Sequence, residues 1–139
     1  MSIQLASSDV QIEQCFPVMS QLRSHLDFDV FVSQVKNQME DDYQLAFLED
    51  REEIIAVAGF RISTSLSWGR FLYVFDLVVD ESKRSQSYGQ QLFQWLIKYA
   101  KDLHCQQLHL DSGVQRFDAH RFYIKQSLNI TGHHFALEL

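Results

Sequence analysis

Apolar residues change their period several times along this chain, and each change marks an element. Ile12, Cys15, Phe16, Met19 and Leu22 recur at helical spacing behind Ser8 and Gln11, which resemble a capping box. Pro17 falls inside that stripe and predicts a kink or an interruption. A second stripe, Phe28, Phe31, Val32, Val35 and Met39, predicts a helix over Phe28–Met39, with Asp27 as cap and Glu40-Asp41-Asp42 closing it. The pattern then turns to β. Residues 43–49 and 53–64 are separated by Asp50-Arg51-Glu52, a hairpin-sized gap. Residues 70–80 are rich in β-branched and aromatic types and follow a turn at Ser67-Trp68-Gly69. Helical spacing returns over 87–103, where Leu92, Trp95, Leu96, Tyr99 and Leu103 form the inward stripe. A strand over Gln107–Leu110, a shorter helix over 117–126, and two final strands at 128–130 and 134–139 complete the chain, with a short strand over 3–6 at its start. The order predicts an α/β fold, a mixed sheet with helices on its faces.

A length of 139 residues suits one domain, and 46% apolar residues supply a core. No apolar run is long enough to span a membrane, and the first residues lack the cationic start of a signal peptide. Cys15 and Cys105 lie among apolar neighbours with no metal-ligand spacing, so they read as free thiols, and no metal site is expected. These features predict a cytoplasmic protein. Charge divides unevenly. Residues 1–60 carry three basic residues against eleven acids, a balance of −8, and residues 61–139 carry nine against seven, a balance of +2. An acidic chain is a poor general binder of nucleic acid, whose affinity rests on neutralising phosphates. The split fits a basic end for a phosphorylated ligand and an acidic side for a cation, or charge scattered for solubility.

The densest chemical signal lies at 78–93. An apolar strand end, Val78-Val79, leads through Asp80-Glu81-Ser82-Lys83-Arg84-Ser85-Gln86-Ser87 into a helix opening at Tyr88-Gly89-Gln90. Bare N–H groups at a helix start attract anions, and adjacent cations add to that attraction. The turn lacks G-x-x-x-x-G-K-[S/T] and G-x-G-x-x-G, which argues against a P-loop or dinucleotide site.

Two separated segments resemble the GNAT N-acetyltransferase family. Arg84-Ser85-Gln86-Ser87-Tyr88-Gly89 is similar to its pyrophosphate loop, Arg/Gln-x-x-Gly-x-Gly/Ala, with Ser87 where the first glycine is usual. Ala119-His120-Arg121-Phe122-Tyr123 is similar to its Ala-x-x-Phe-Tyr helix. The resemblance implies one acetyltransferase-like domain over 1–139, with a mostly antiparallel central sheet of six to seven strands and about four helices. It implies acetyl-CoA as cosubstrate and a primary amine as acceptor, and a homodimer is compatible with it. Backbone groups of Leu77 and Val79 are expected to hold the pantetheine arm, and an N–H near Val78 to polarise the thioester. Ser85, Gln86, Ser87, Tyr88, Gly89 and Gln90 would offer N–H groups to the diphosphate, assisted by Arg84. The serine at 87 loses glycine's conformational freedom but gains a hydroxyl donor.

Aminolysis requires an ammonium of pKa roughly 10.4 to lose a proton and the departing thiolate to gain one. By the resemblance, Tyr123 is the general acid; the plainer reading is a buried core tyrosine. Asp76 interrupts the apolar run 71–79 and is the candidate base, or else a strand carboxylate paired with a structural cation. His120 and His134 are alternatives. Asp27, Asp29 and Glu40–Asp42 either attract a cationic amine or cap and solvate the second helix. The competing function is an acyl-CoA-binding sensor or interaction module with no turnover.

Overall fold

Strands β1 (Ser2–Leu5), β2 (Tyr43–Asp50), β3 (Glu53–Ser65), β4 (Gly69–Val79) and β5 (Gln107–Leu110) lie in that order across one sheet. The computed structural model describes residues 1–139. Neighbours from β1 to β4 are antiparallel, and the β4–β5 crossover through a helix makes the sheet mixed. The helices are α1 (Asp9–Leu22), α2 (Phe28–Met39), α3 (Tyr88–Asp102) and α4 (Phe117–Lys125). The chain forms two compact units, Met1–His109 and Leu110–Leu139.

In the first unit, β2 and β3 carry unbroken buried runs, 45–48 and 55–60, because helices cover both faces. One face holds Tyr43, Leu45, Phe47, Val57 and Val78 against Ile12, Cys15, Val18 and Met19 of α1 and Phe31 and Val35 of α2. The opposite face meets α3, where Phe60 packs edge-on to Tyr99 with centroids 5.4 Å apart. The Ser8 hydroxyl accepts the Gln11 N–H at 3.2 Å, and Asp27 accepts the Val30 N–H at 2.9 Å, so both expected caps form. Of the kink or interruption expected at Pro17, the interruption does not form, since α1 runs unbroken through it. Burial of Cys15, Val18 and Met19 on one face offsets the one backbone bond that a proline cannot donate.

A bulge interrupts the β3–β4 ladder. Phe60 faces Val74 and Gly59 faces Asp76, so Phe75 is the extra residue. It puts Val74 and Asp76 on opposite faces although they are two apart. Asp76 and Val78 therefore join the α1–α2 face while Leu72 and Val74 stay with α3.

The sheet has five strands, not the six to seven expected. The shortfall lies in the second unit, where α4 is followed by a tail, residues 128–139, that forms no strand. Its alternating Phe135, Leu137 and Leu139 are exposed, as is Ile130. Alternation satisfies one half of strand formation; a strand also needs a neighbour for its backbone groups.

Candidate active site

Asp76 stands at the bulge with both carboxylate oxygens engaged. Oδ1 accepts from Arg23 Nε at 2.9 Å and Oδ2 from the Tyr43 hydroxyl at 2.7 Å. Arg23, just past the end of α1, also donates from Nη2 to the Phe75 carbonyl at 3.0 Å. That bond caps the irregular backbone that the bulge creates. Burial, and then the Asp76 charge and hydrogen bond, push the Tyr43 hydroxyl well above its usual pKa, so it stays a donor. Gly59 makes the arrangement fit. A methyl there would overlap the Tyr43 hydroxyl and come within 2.7 Å of Asp76 Oδ2.

Past the bulge, the register fixes which backbone groups β4 can offer. Asp80 N–H donates to the Ile55 carbonyl at 2.7 Å. In an antiparallel ladder such pairs alternate, so Val78 bonds Val57 while Leu77 and Val79 turn their N–H and C=O away from β3. The Val78 N–H is thus spent within the sheet, and the nearest N–H groups that face away from β3 are those of Leu77 and Val79. β5 has four residues and meets β4 near its start, where Gln106 N–H donates to the Arg70 carbonyl at 2.7 Å. Counted in parallel register from that contact, β5 runs out before Asp76.

The turn after β4 is tied down at its start and open at its end. Asp80 accepts the Ser82 N–H and hydroxyl, both at 2.9 Å, and these bonds hold its carboxyl below the usual value. Glu81 N–H donates to Gln21 Oε1 at 2.9 Å. Beyond a short 3-10 turn at Glu81–Lys83, Ser85 and Ser87 adopt left-handed backbone, φ 65° and 68°. Such φ values cost a non-glycine residue about 1 kcal/mol each. Ser87 is the N-cap of α3 yet makes no side-chain cap bond. The helix ladder begins with Gln91 N–H on the Ser87 carbonyl, 3.0 Å, so the N–H groups of Tyr88, Gly89 and Gln90 have no partner within the helix. Arg84 is exposed, without an ion pair. A loop strained at two serines, with bare donors and an uncommitted guanidinium, fits an oxyanion such as a diphosphate. The Tyr88 hydroxyl itself is turned to Asp50, 3.2 Å away.

Tyr123 lies in the second unit, on α4, half-buried; burial raises its pKa. Its carbonyl accepts the Leu128 N–H at 3.0 Å. In the same unit His120 bonds the Gly113 carbonyl at 2.7 Å, and His134 Nδ1 lies 3.2 Å from Asp111. No cluster of metal ligands is present, and no helix is long and apolar enough to cross a membrane. The expected residues from 76 to 90 are thus brought together as one run of strand, turn and helix. Arg23, Tyr43 and Gly59 escaped the sequence reading. The one available signal was the glycine inside an otherwise apolar strand pattern.

The strand–turn–helix with its open donors is set in an α/β fold with a mixed sheet. Comparison with known proteins makes the class specific. The Acetyltransferase (GNAT) family model matches residues 11–128. An uncharacterized N-acetyltransferase of Bacillus subtilis, YhdJ, is 33% identical over 121 residues, 86% of this chain and 84% of that protein. The aminoalkylphosphonate N-acetyltransferase of Salmonella typhimurium is 26% identical over 109 residues, 76% of this chain and 70% of that one. Among solved structures, an aminoglycoside N-acetyltransferase in complex with CoA superposes with a TM-score of 0.85, covering 99% of this chain and 95% of that one, at 11% identity, a likeness of fold alone. The chain belongs to the GNAT acetyltransferase family, and it is an acetyltransferase.

Proposed function

We propose that this protein moves the acetyl group of acetyl-CoA to a primary amine by direct attack in a ternary complex. The observation that carries the reading is the turn at 84–90, whose two left-handed serines and open N–H groups suit the CoA diphosphate. Arg84 assists there, and Ser85, Gln86, Ser87, Tyr88, Gly89 and Gln90 line the approach. Leu77 and Val79 offer the outward backbone groups that a pantetheine amide chain would pair with. The fold shared with a CoA-bound acetyltransferase supports the same cosubstrate.

In the proposed step the neutral amine nitrogen attacks the thioester carbonyl carbon. A C–N bond forms, the C–S bond breaks, and the electron pair leaves on sulfur. The nitrogen sheds one proton and the thiolate gains one. Tyr123 is the proposed general acid; its raised pKa keeps the proton available. Asp76 is the proposed base. Both of its oxygens already accept hydrogen bonds, so it would take the proton through a bridging water on a remaining lone pair.

We read 1–139 as one acetyltransferase-like domain, because the family match runs across both units. Two free cysteines, one buried, support a reducing, cytoplasmic setting. The exposed apolar tail supports a homodimer in which a second copy supplies its missing neighbour.

The test is thiol release from acetyl-CoA across a panel of small amines and peptides. Amine-dependent release is expected. CoA binding with no release for any acceptor would favour the non-catalytic acyl-CoA module instead.

A further inference from the structure

The sheet face that holds Asp76 also carries a cation that forms no ion pair. Tyr43 of β2, Arg61 of β3 and Tyr73 of β4 stand side by side, registered Tyr43 to Arg61 and Arg61 to Tyr73. The bulge pushes Phe75 toward this row. Its ring lies 4.8 Å from Tyr73 and 6.3 Å from Tyr43. The Arg61 guanidinium carbon sits 5.6 Å from the Phe75 centroid. Arg61 is exposed and makes no salt bridge, and Phe75 is 40% exposed. The contrast with Arg23 is direct, because that guanidinium is consumed by Asp76 and the Phe75 carbonyl.

An arginine resting on an aromatic ring is pre-organised. Arg61 is exposed, lies within cation–π reach of Phe75 and has no ion pair, so its N–H fork is available to a carboxylate or phosphonate, which a guanidinium takes with two parallel bonds. The row is also close to the chemistry. Arg61 and Gly59 are two residues apart on one strand, roughly 7 Å, and Gly59 faces Asp76. Resting on the acetyltransferase reading above, we propose that the acceptor is a small amine that also bears an anionic oxygen group, carboxylate or phosphonate. Arg61 grips the anion, the Phe75 and Tyr73 rings flank the methylene linker, and the amine reaches the Asp76 end of β4. A few methylenes between the two charges match the spacing on the sheet. Arg61 is then a specificity-determining residue, and its effect appears as a difference between acceptors.

The experiment compares 3-aminopropylphosphonate and 4-aminobutanoate with propylamine and 1,4-diaminobutane, by thiol release and by calorimetric titration of the CoA-loaded protein. Wild type is expected to favour an anionic amine over propylamine by at least about tenfold in kcat/KM, and Arg61→Gln to erase that ratio chiefly through KM. Arg61→Lys should restore part of it, and less for the phosphonate, which loses bidentate geometry. The phosphonate and carboxylate arms decide which anion fits. Equal or better use of the uncharged-tail or dicationic amine, or an unchanged ratio in Arg61→Gln, overturns the proposal while leaving the enzyme reading standing. Should no amine turn over, the titration decides alone. Binding of an anionic amine that Arg61→Gln weakens about tenfold sustains the site and sinks only the turnover; no binding sinks the site as well. Arg61 is exposed, so a thermal melt matching wild type is expected for each variant.

Discussion

The Tyr43 hydroxyl reaches across the central strand to Asp76, 2.7 Å away, passing over Gly59. One hydrogen bond thereby ties β2 to β4 without touching a side chain of β3. Gly59→Ala inserts a methyl where the hydroxyl lies. It is expected to destabilise the protein by about 1–3 kcal/mol, read from the urea midpoint. Adding Tyr43→Phe should recover only part of that loss, because the colliding oxygen is gone while the ring Cζ and Asp76 Oδ2 still lie 2.5 and 2.7 Å from the methyl position. Strictly additive effects would mean that the two sites do not meet.

Ser87 occupies left-handed backbone at the start of α3. Ser87→Gly is expected to hold or lower the acetyl-CoA KM, since glycine takes that φ without strain. Ser87→Val should raise it by about tenfold or more, because a β-branched residue resists positive φ. If valine is tolerated with no change in KM, the turn is not the diphosphate site.

For Tyr123, burial raises the pKa, so the protonated, proton-donating form persists to higher pH than for an exposed tyrosine. Activity limited by this acid is therefore present below the raised pKa and lost as pH rises through it. Tyr123→Phe is expected to cut kcat by about 10²-fold or more, with the acetyl-CoA Kd nearly unchanged and the alkaline limb abolished. A variant with a wild-type kcat at every pH would remove Tyr123 from the mechanism.

Asp80 titrates below its usual value because it accepts from Ser82. With a depressed folded pKa, its stabilising effect is complete above the unfolded value of 3.8 and fades as pH falls through the folded one. Asp80→Asn should be less stable than wild type at neutral pH, and the gap should close in acid. A gap that stays constant from pH 7 down to strong acid would assign the loss to something other than this charge.

The tail predicts an assembly. With Phe135 and Leu137 exposed, the protein is expected to sediment as a dimer, and Phe135→Glu with Leu137→Glu as a monomer. A wild-type monomer at micromolar concentration would end the homodimer reading.

Hydrophobic period alone determined the helices at Phe28–Met39 and after Ser87, the long strands, and the strand–turn–helix at 78–93, because these depend on residues close in sequence. The partners of Asp76 were not legible in that period. Arg23 and Tyr43 are 53 and 33 residues away, and nothing local encodes the bulge at Phe75 that brings them to it. The same holds for the row at Arg61, which exists only once three strands have chosen their register. Alternation in the tail marked two strands that the sheet does not contain, since period specifies a face and not a neighbour. Local pattern settled what each segment is; cross-strand register, a property of the folded sheet, settled which side chains meet.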